Sequence, residues 1–72
     1  MSEKSVVEDI GKQIRALRRE KGLPQEKIAY AARIEQTQLS KMERGIVRPT
    51  PTIARRLALA LELDEGAFLT DV

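Results

Sequence analysis

The sequence predicts an all-α fold, five short helices around one small core. Two observations carry that prediction. Apolar residues recur at spacings of three and four along the chain, and no alternating run competes as a strand. Helix-start residues and helix-stop residues then bracket each apolar stretch. With 72 residues and no linker, repeat or low-complexity tract, the whole span 1–72 reads as one domain.

The first helix is expected over about 6–21. Ser5 and Glu8 make an S-x-x-E capping box, which satisfies free amide donors at a helix start. Val7, Ile10, Ile14 and Leu17 form one apolar stripe, and Arg15 and Arg19 fall on the wet side. Gly22 ends the helix as a left-handed cap, with Lys21 in the negative last turn and Leu23 as the apolar closure.

The second helix is expected over about 24–32. Pro24 suits the first helical position, where its missing N–H costs nothing. Ile28, Ala29, Ala31 and Ala32 supply the buried side. A helix of about two turns is too short to stand alone in water, so neighbours must hold it. "ARIE" reverses the chain and Ile34 anchors the turn. A third helix follows over about 36–44, with Glu35 at its positive end and Gln38 three residues on. "GIVRPT" is a loop stopped by Gly45 and Pro49. Thr50 then caps a fourth helix over about 51–61, Pro51 takes its first position, and Ile53, Leu57, Ala60 and Leu61 form its core stripe. Asp64 caps a last short helix over about 65–70 that carries Phe68 and Leu69.

Composition excludes several classes of function. Cysteine and histidine are both absent, which removes disulfides, thiol chemistry, the usual zinc sites and His-based acid/base catalysis. No metal ligand set, cofactor motif or catalytic constellation stands out, so the chain reads as a non-enzyme without a cofactor. No long apolar run crosses a membrane, and a Cys-free chain without a signal peptide fits a reducing cytoplasm. Tyr30 and Phe68 are the only aromatics, too few for stacking single-stranded nucleic acid. Tyr30, Arg55 and Arg56 read as solvated surface, and the acids at 62, 64, 65 and 71 as caps and solvation. Charge is unevenly placed. Residues 10–60 hold twelve Lys/Arg against four Glu, a net +8, while 1–9 carry −2 and 61–72 carry −4. A basic middle is what a polyanionic partner requires, although a mixed solubilising surface would also contain it.

The third helix, "QTQLSKMERG", decides between those readings. With Gln36 at zero on a helical wheel, Ser40, Arg44, Thr37 and Lys41 fall at roughly 40, 80, 100 and 140°. Gln38, Met42 and Leu39 fall at roughly 200, 240 and 300°, on the inward side, and Glu43 sits at the seam near 340°. The outward arc contains no acid. Gln, Thr and Ser can read base edges, and Lys and Arg can pair with guanine or phosphate. Taken alone, such an arc is what many surface helices present. Its place after a short helix and a tight turn makes it the second member of a helix-turn-helix unit, helices two and three.

Residues 11–69 resemble the helix-turn-helix family of phage Cro and repressor proteins and the xenobiotic-response-element regulators. The similarity runs from "IRALRREKGLPQEKIA" through "QTQLSKMERG" to "PTPTIARRLALALELDEGAFL". It implies a compact five-helix, lambda-repressor-like DNA-binding domain. It implies that Gln36, Thr37, Ser40 and Lys41 face bases, that Gln25, Arg44 and Arg48 meet the DNA backbone, and that Arg18 and Glu43 form a buried pair tying helix one to the reading helix. On the wheel Arg18 borders its own apolar stripe, roughly 80° from Ile10, which agrees. Two positions depart from the family pattern. Pro24 stands where Ser or Thr usually caps, and Arg33 stands where Gly usually takes a positive φ, at a cost of about 1 kcal/mol.

The expected function is therefore a sequence-specific regulator of transcription on double-stranded DNA. It would be a repressor acting as a homodimer on a two-half-site operator, by covering promoter DNA or by contacting RNA polymerase or a partner protein. Phe68, Leu69 and Val72 are the expected dimer surface, being farthest in sequence from the reading helix. The alternative is a protein-interaction module of the same fold, an anti-repressor or antitoxin-like binder of a partner protein. The polar arc of helix three argues against it, because partner surfaces carry exposed apolar anchors.

Overall fold

All four helices among the described residues stop in the same way. The computed structural model describes the backbone of residues 3–68 and the side chains of residues 10–68. Within that span α1 runs Glu3–Glu20, α2 Gln25–Ala32, α3 Gln36–Glu43 and α4 Pro51–Ala60. After each helix one residue turns left-handed: Gly22 (φ 68°), Arg33 (φ 63°), Gly45 (φ 78°) and Glu62 (φ 64°). The amide of the next residue then reaches back five positions. Leu23 donates to Arg18, Ile34 to Ala29, Ile46 to Lys41 and Leu63 to Ala58, at 2.8–2.9 Å. This is the Schellman closure, in which a left-handed residue lets two amides satisfy otherwise orphaned carbonyls. The following residue is apolar in all four cases, and Leu23, Ile34 and Leu63 pack against the core.

Glycine takes that conformation at no steric cost, so Gly22 and Gly45 announce themselves in the sequence. Arg33 is marked only by the family pattern, and Glu62 by nothing local. Arg33 is held left-handed because its own amide donates to Tyr30 and the next to Ala29.

Helix starts are less uniform. Thr50 caps α4, its hydroxyl accepting from the Ile53 amide at 3.2 Å, with Pro51 as the first helical residue. Pro24 is the N-cap of α2 with extended backbone, one residue before the position expected for it. Its carbonyl accepts from the Lys27 and Ile28 amides at 3.2 and 3.3 Å, but it has no side-chain oxygen to offer. Glu35 is the N-cap of α3 and its carboxylate makes no capping bond. The expected Ser5–Glu8 capping box and the Val7 packing rest on side chains outside the described residues.

The core gathers one stripe from each helix. Ile14 of α1, Ile28, Ala29 and Ala32 of α2, Leu39 and Met42 of α3, and Ala54, Leu57 and Ala58 of α4 are buried, together with Leu61 and Phe68. Ile10, Leu17, Ile53 and Ala60 pack partly buried around them. Ala31, expected inside, is exposed, because α2 turns positions 28, 29 and 32 inward instead. Ala54 and Ala58 let α4 approach α2 closely, and α2 also packs on α3, which packs on α1.

Two expectations about the C-terminal part are corrected. The described residues contain four helices and no strand. Residues 65–68 form turns where a fifth helix was expected over 65–70; the Asp64 carbonyl accepts from Ala67 at 3.0 Å without an α-helix following. One such bond does not repay helix nucleation, and Gly66 adds flexibility. Phe68 is 5% exposed and fills the core, so it is not a surface residue awaiting a partner. Leu69 and Val72, named with it, lie outside the described residues.

Candidate nucleic-acid interface

The two-helix unit α2–α3 is fixed to α1 by a glycine and an ion pair. Gly11 of α1 is buried against the backbone of α3. A Cβ there would overlap the Met42 carbonyl oxygen, so no larger residue permits this approach. Glycine inside a helix normally costs about 1 kcal/mol relative to alanine. Here the cost is offset by bringing α1 against α3.

That approach lets Arg18 reach Glu43. The Arg18 Nε donates to Glu43 Oε2 at 2.7 Å and its Nη2 to Oε1 at 3.2 Å, while Nη1 donates to the Leu23 carbonyl at 2.8 Å. The Glu43 side chain is 2% exposed and that of Arg18 11%. Two charges so far from water need each other and further hydrogen bonds to offset desolvation. Gln25 supplies one, its amide donating to Glu43 Oε1 at 3.1 Å. The Gln25 carbonyl in turn accepts from the Gln36 amide at 3.4 Å. No buried side-chain nitrogen or oxygen is left without a partner among the described residues. A hydrogen-bonded line therefore runs from the end of α1, through a buried carboxylate, to the first residue of α3.

The remaining site residues stand where the wheel puts them. Gln36, Thr37, Lys41 and Arg44 are exposed and Ser40 is half-buried, while Leu39, Met42 and Glu43 are buried. Two hollows flank the outward arc. One, of about 340 Å³, lies toward the loop before α4 and is lined by Thr37, Lys41, Arg48 and Thr50 over Met42, Val47 and Ile53. The other, of about 180 Å³, lies toward α1 and is lined by Ser40, Arg44 and Gln25 with arginines of α1. Thr37 and Lys41 thus tip one way and Ser40 and Arg44 the other, as their positions at roughly 100–140° and 40–80° require. Arg48, in the exposed loop, is brought beside Lys41 rather than beside Arg44.

A ridge about 10–12 Å across with a cationic hollow along each side suits the major groove of B-form DNA, which is ≈ 12 Å wide between two phosphate backbones. The hollow toward α1 contains one acid, Glu43, which is already paired; Glu35 lines the hollow on the α4 side, with Lys41 and Arg48. No group of His, Cys, Asp and Glu among the described residues could hold a metal ion. No described helix is long and apolar enough to cross a membrane.

A helix-turn-helix domain model matches residues 9–68 of the sequence. The chain belongs to the helix-turn-helix family. Solved structures agree with that assignment. The restriction-modification controller protein C.AhdI from Aeromonas hydrophila superposes with a TM-score of 0.79 at 28% identity, covering 89% of this chain and 96% of that one. The clp gene regulator ClgR from C. glutamicum gives 0.80 at 26% identity, covering 89% of this chain and 83% of that one. An HTH_3-family transcriptional regulator from Vibrio cholerae gives 0.82 at 26% identity; it covers 97% of this chain, which spans 39% of that protein. A comparison with curated protein sequences gives no significant match.

Some features of this helix-turn-helix domain were outside the reach of sequence reasoning. The Gln25 bridge between Glu43 and Gln36 joins residues 18 and 11 positions apart, and no local pattern announces it. Gly11 reads in isolation as a weak point in a helix. A glycine flanked by core positions such as Ile10 and Ile14 was the available signal that another backbone comes close.

Proposed function

We propose that this protein regulates transcription by reading double-stranded DNA with α3. The observation that carries the reading is the acid-free outward arc of α3, set between two cationic hollows and held by a buried ion pair. In this reading Gln36, Thr37, Ser40 and Lys41 meet base edges. Gln can bond adenine at two points, and Lys can meet guanine. Gln25, Arg44 and Arg48 meet phosphates, which fix register without reading sequence. The likeness to a gene regulator, a transcriptional regulator and a controller protein supports regulation as the outcome.

Repression by a homodimer is the form we propose. One short helix reads few base pairs, and a two-fold dimer would place two copies of α3 about 34 Å apart, one turn of duplex. With Phe68 buried, Leu59 on α4 is one of the exposed apolar residues, along with Ile46, that a second copy could cover. Equilibrium sedimentation at micromolar concentration, alone and with duplex, should show the dimer; a strict monomer on a single half-site contradicts it.

The test of DNA binding is a salt titration on duplex recovered from a random pool. Neutralising about 6–10 phosphates should cost about 10³–10⁵ in affinity between ~50 and ~200 mM salt. A flat response would favour the partner-protein alternative.

A further inference from the structure

The α1 side of α3 carries more positive charge than the fold uses. Lys12, Arg15 and Arg19 follow one another at spacings of three and four along α1, all exposed. Arg15 and Arg19 line the smaller hollow with Arg18, Ser40 and Arg44, and Lys12 borders the adjoining one with Arg44 and Gly45. The acid in these hollows, Glu43, is already taken by Arg18 and Gln25. Among the described residues, Arg15, Arg19 and Arg44 meet no carboxylate within salt-bridge distance.

This arrangement is unfavourable for the isolated domain. The residues three and four positions from Arg15 are Gly11, Lys12, Arg18 and Arg19, so no acid answers it along the helix. Like-charge neighbours at these spacings repel and destabilise the helix. Burial offers no return, because both side chains are exposed. Guanidiniums placed together at such a cost suit an oxyanion, which they bind in a bidentate fork. The hollow opens beside Ser40 on the outward arc of α3, across that helix from Lys41 and Arg48.

We propose that Arg15 and Arg19 of α1, with Arg44, form a phosphodiester-binding subsite, which grips the DNA strand on the side of α3 opposite Arg48. The subsite rests on the duplex-reading function proposed above. A helix seated in the major groove has a backbone on each flank. Arg48 serves the α4 flank, and the α1 arginines serve the other. Arg15 and Arg19 therefore add affinity and fix the tilt of α3 without choosing bases.

The double variant R15Q/R19Q tests it on the full chain. Its affinity should fall by the same factor on the selected duplex and on random duplex. The slope of log affinity against log salt should become shallower by about 2, one for each phosphate no longer neutralised. Its melting temperature should hold or rise, since like-charge repulsion is relieved. An unchanged slope and affinity, in a variant whose wild-type parent binds duplex, overturns the subsite and leaves the proposed function standing. A wild-type chain that binds no duplex defeats that function and the subsite with it. Shifts of the Arg15 and Arg19 side-chain resonances as large with millimolar inorganic phosphate as with duplex would assign the hollow to a free anion, and also overturn the proposal.

Discussion

Replacing Glu43 by alanine should cost this domain a large part of its stability. The side chain is 2% exposed and accepts three hydrogen bonds, two from Arg18 and one from Gln25. E43A leaves the Arg18 guanidinium, 11% exposed, with only the Leu23 carbonyl as its partner. Breaking a buried pair from one side typically costs 3–5 kcal/mol, because a charge is stranded away from water. Arg18 keeps some access to solvent, so the lower end, about 3 kcal/mol, is the expected value. A 72-residue domain has about 4–11 kcal/mol in total. At about 4–8 °C per kcal/mol, the melting temperature should fall by at least ~12 °C. Urea unfolding followed by far-UV circular dichroism gives the free energy directly. The double variant R18M/E43M should lose less than E43A alone, since two apolar side chains leave no stranded charge. Equal losses below ~1 kcal/mol for E43A, R18M and the double variant would refute the reasoning; the pair would then behave as an exposed one.

Three other outcomes are expected. G11A should destabilise by about 1–3 kcal/mol in thermal unfolding, because its Cβ meets the unyielding Met42 carbonyl; on an open helix face the same change would stabilise by about 1. R33G should stabilise by about 1 kcal/mol by relieving the left-handed backbone at φ 63°, and a loss of stability would show that the Arg33 side chain contributes more than its strain costs. E35S should stabilise α3 by about 1 kcal/mol by supplying the capping oxygen that Glu35 does not, read from the urea midpoint; no change would mean the α3 start is already satisfied by solvent.

Local signals in the sequence carried much of the fold. Gly22 with Leu23, and Thr50 with Pro51, mark boundaries through backbone chemistry that acts within five residues, so the chain alone displays it. The inward set of α3, Leu39 and Met42, follows from a period that any sequence shows. Arg33 and Glu62 adopt left-handed backbone without being glycine, each followed by an amide that bonds back five positions; Glu62 carried no local sign of it. The fifth helix failed because a capping residue at 64 cannot sustain a helix through Gly66. Phe68 was placed on the surface by its distance in sequence, whereas the chain folds back and buries it. At the site, the outward arc was legible, but its framing was not. Gly11 against Met42, Gln25 between Glu43 and Gln36, and the α1 arginines beside Ser40 are all meetings of distant segments. The Arg18–Glu43 pair, 25 residues apart, came within reach of the sequence only through the family resemblance and the edge positions both hold on their wheels.

The central claim is that α3 reads bases through its first turn. Gln36 is exposed and its amide is held by Gln25, so its loss should leave the fold intact. The decisive measurement compares wild type and Gln36→Ala on the duplex selected from a random pool and on random duplex at one salt concentration. The account predicts a loss of about 1–3 kcal/mol on the selected site and much less on random DNA. Arg48→Ala, measured alongside, should weaken both about equally. Unchanged site preference in a folded Gln36→Ala protein would contradict the account and move the reading surface away from the first turn of α3.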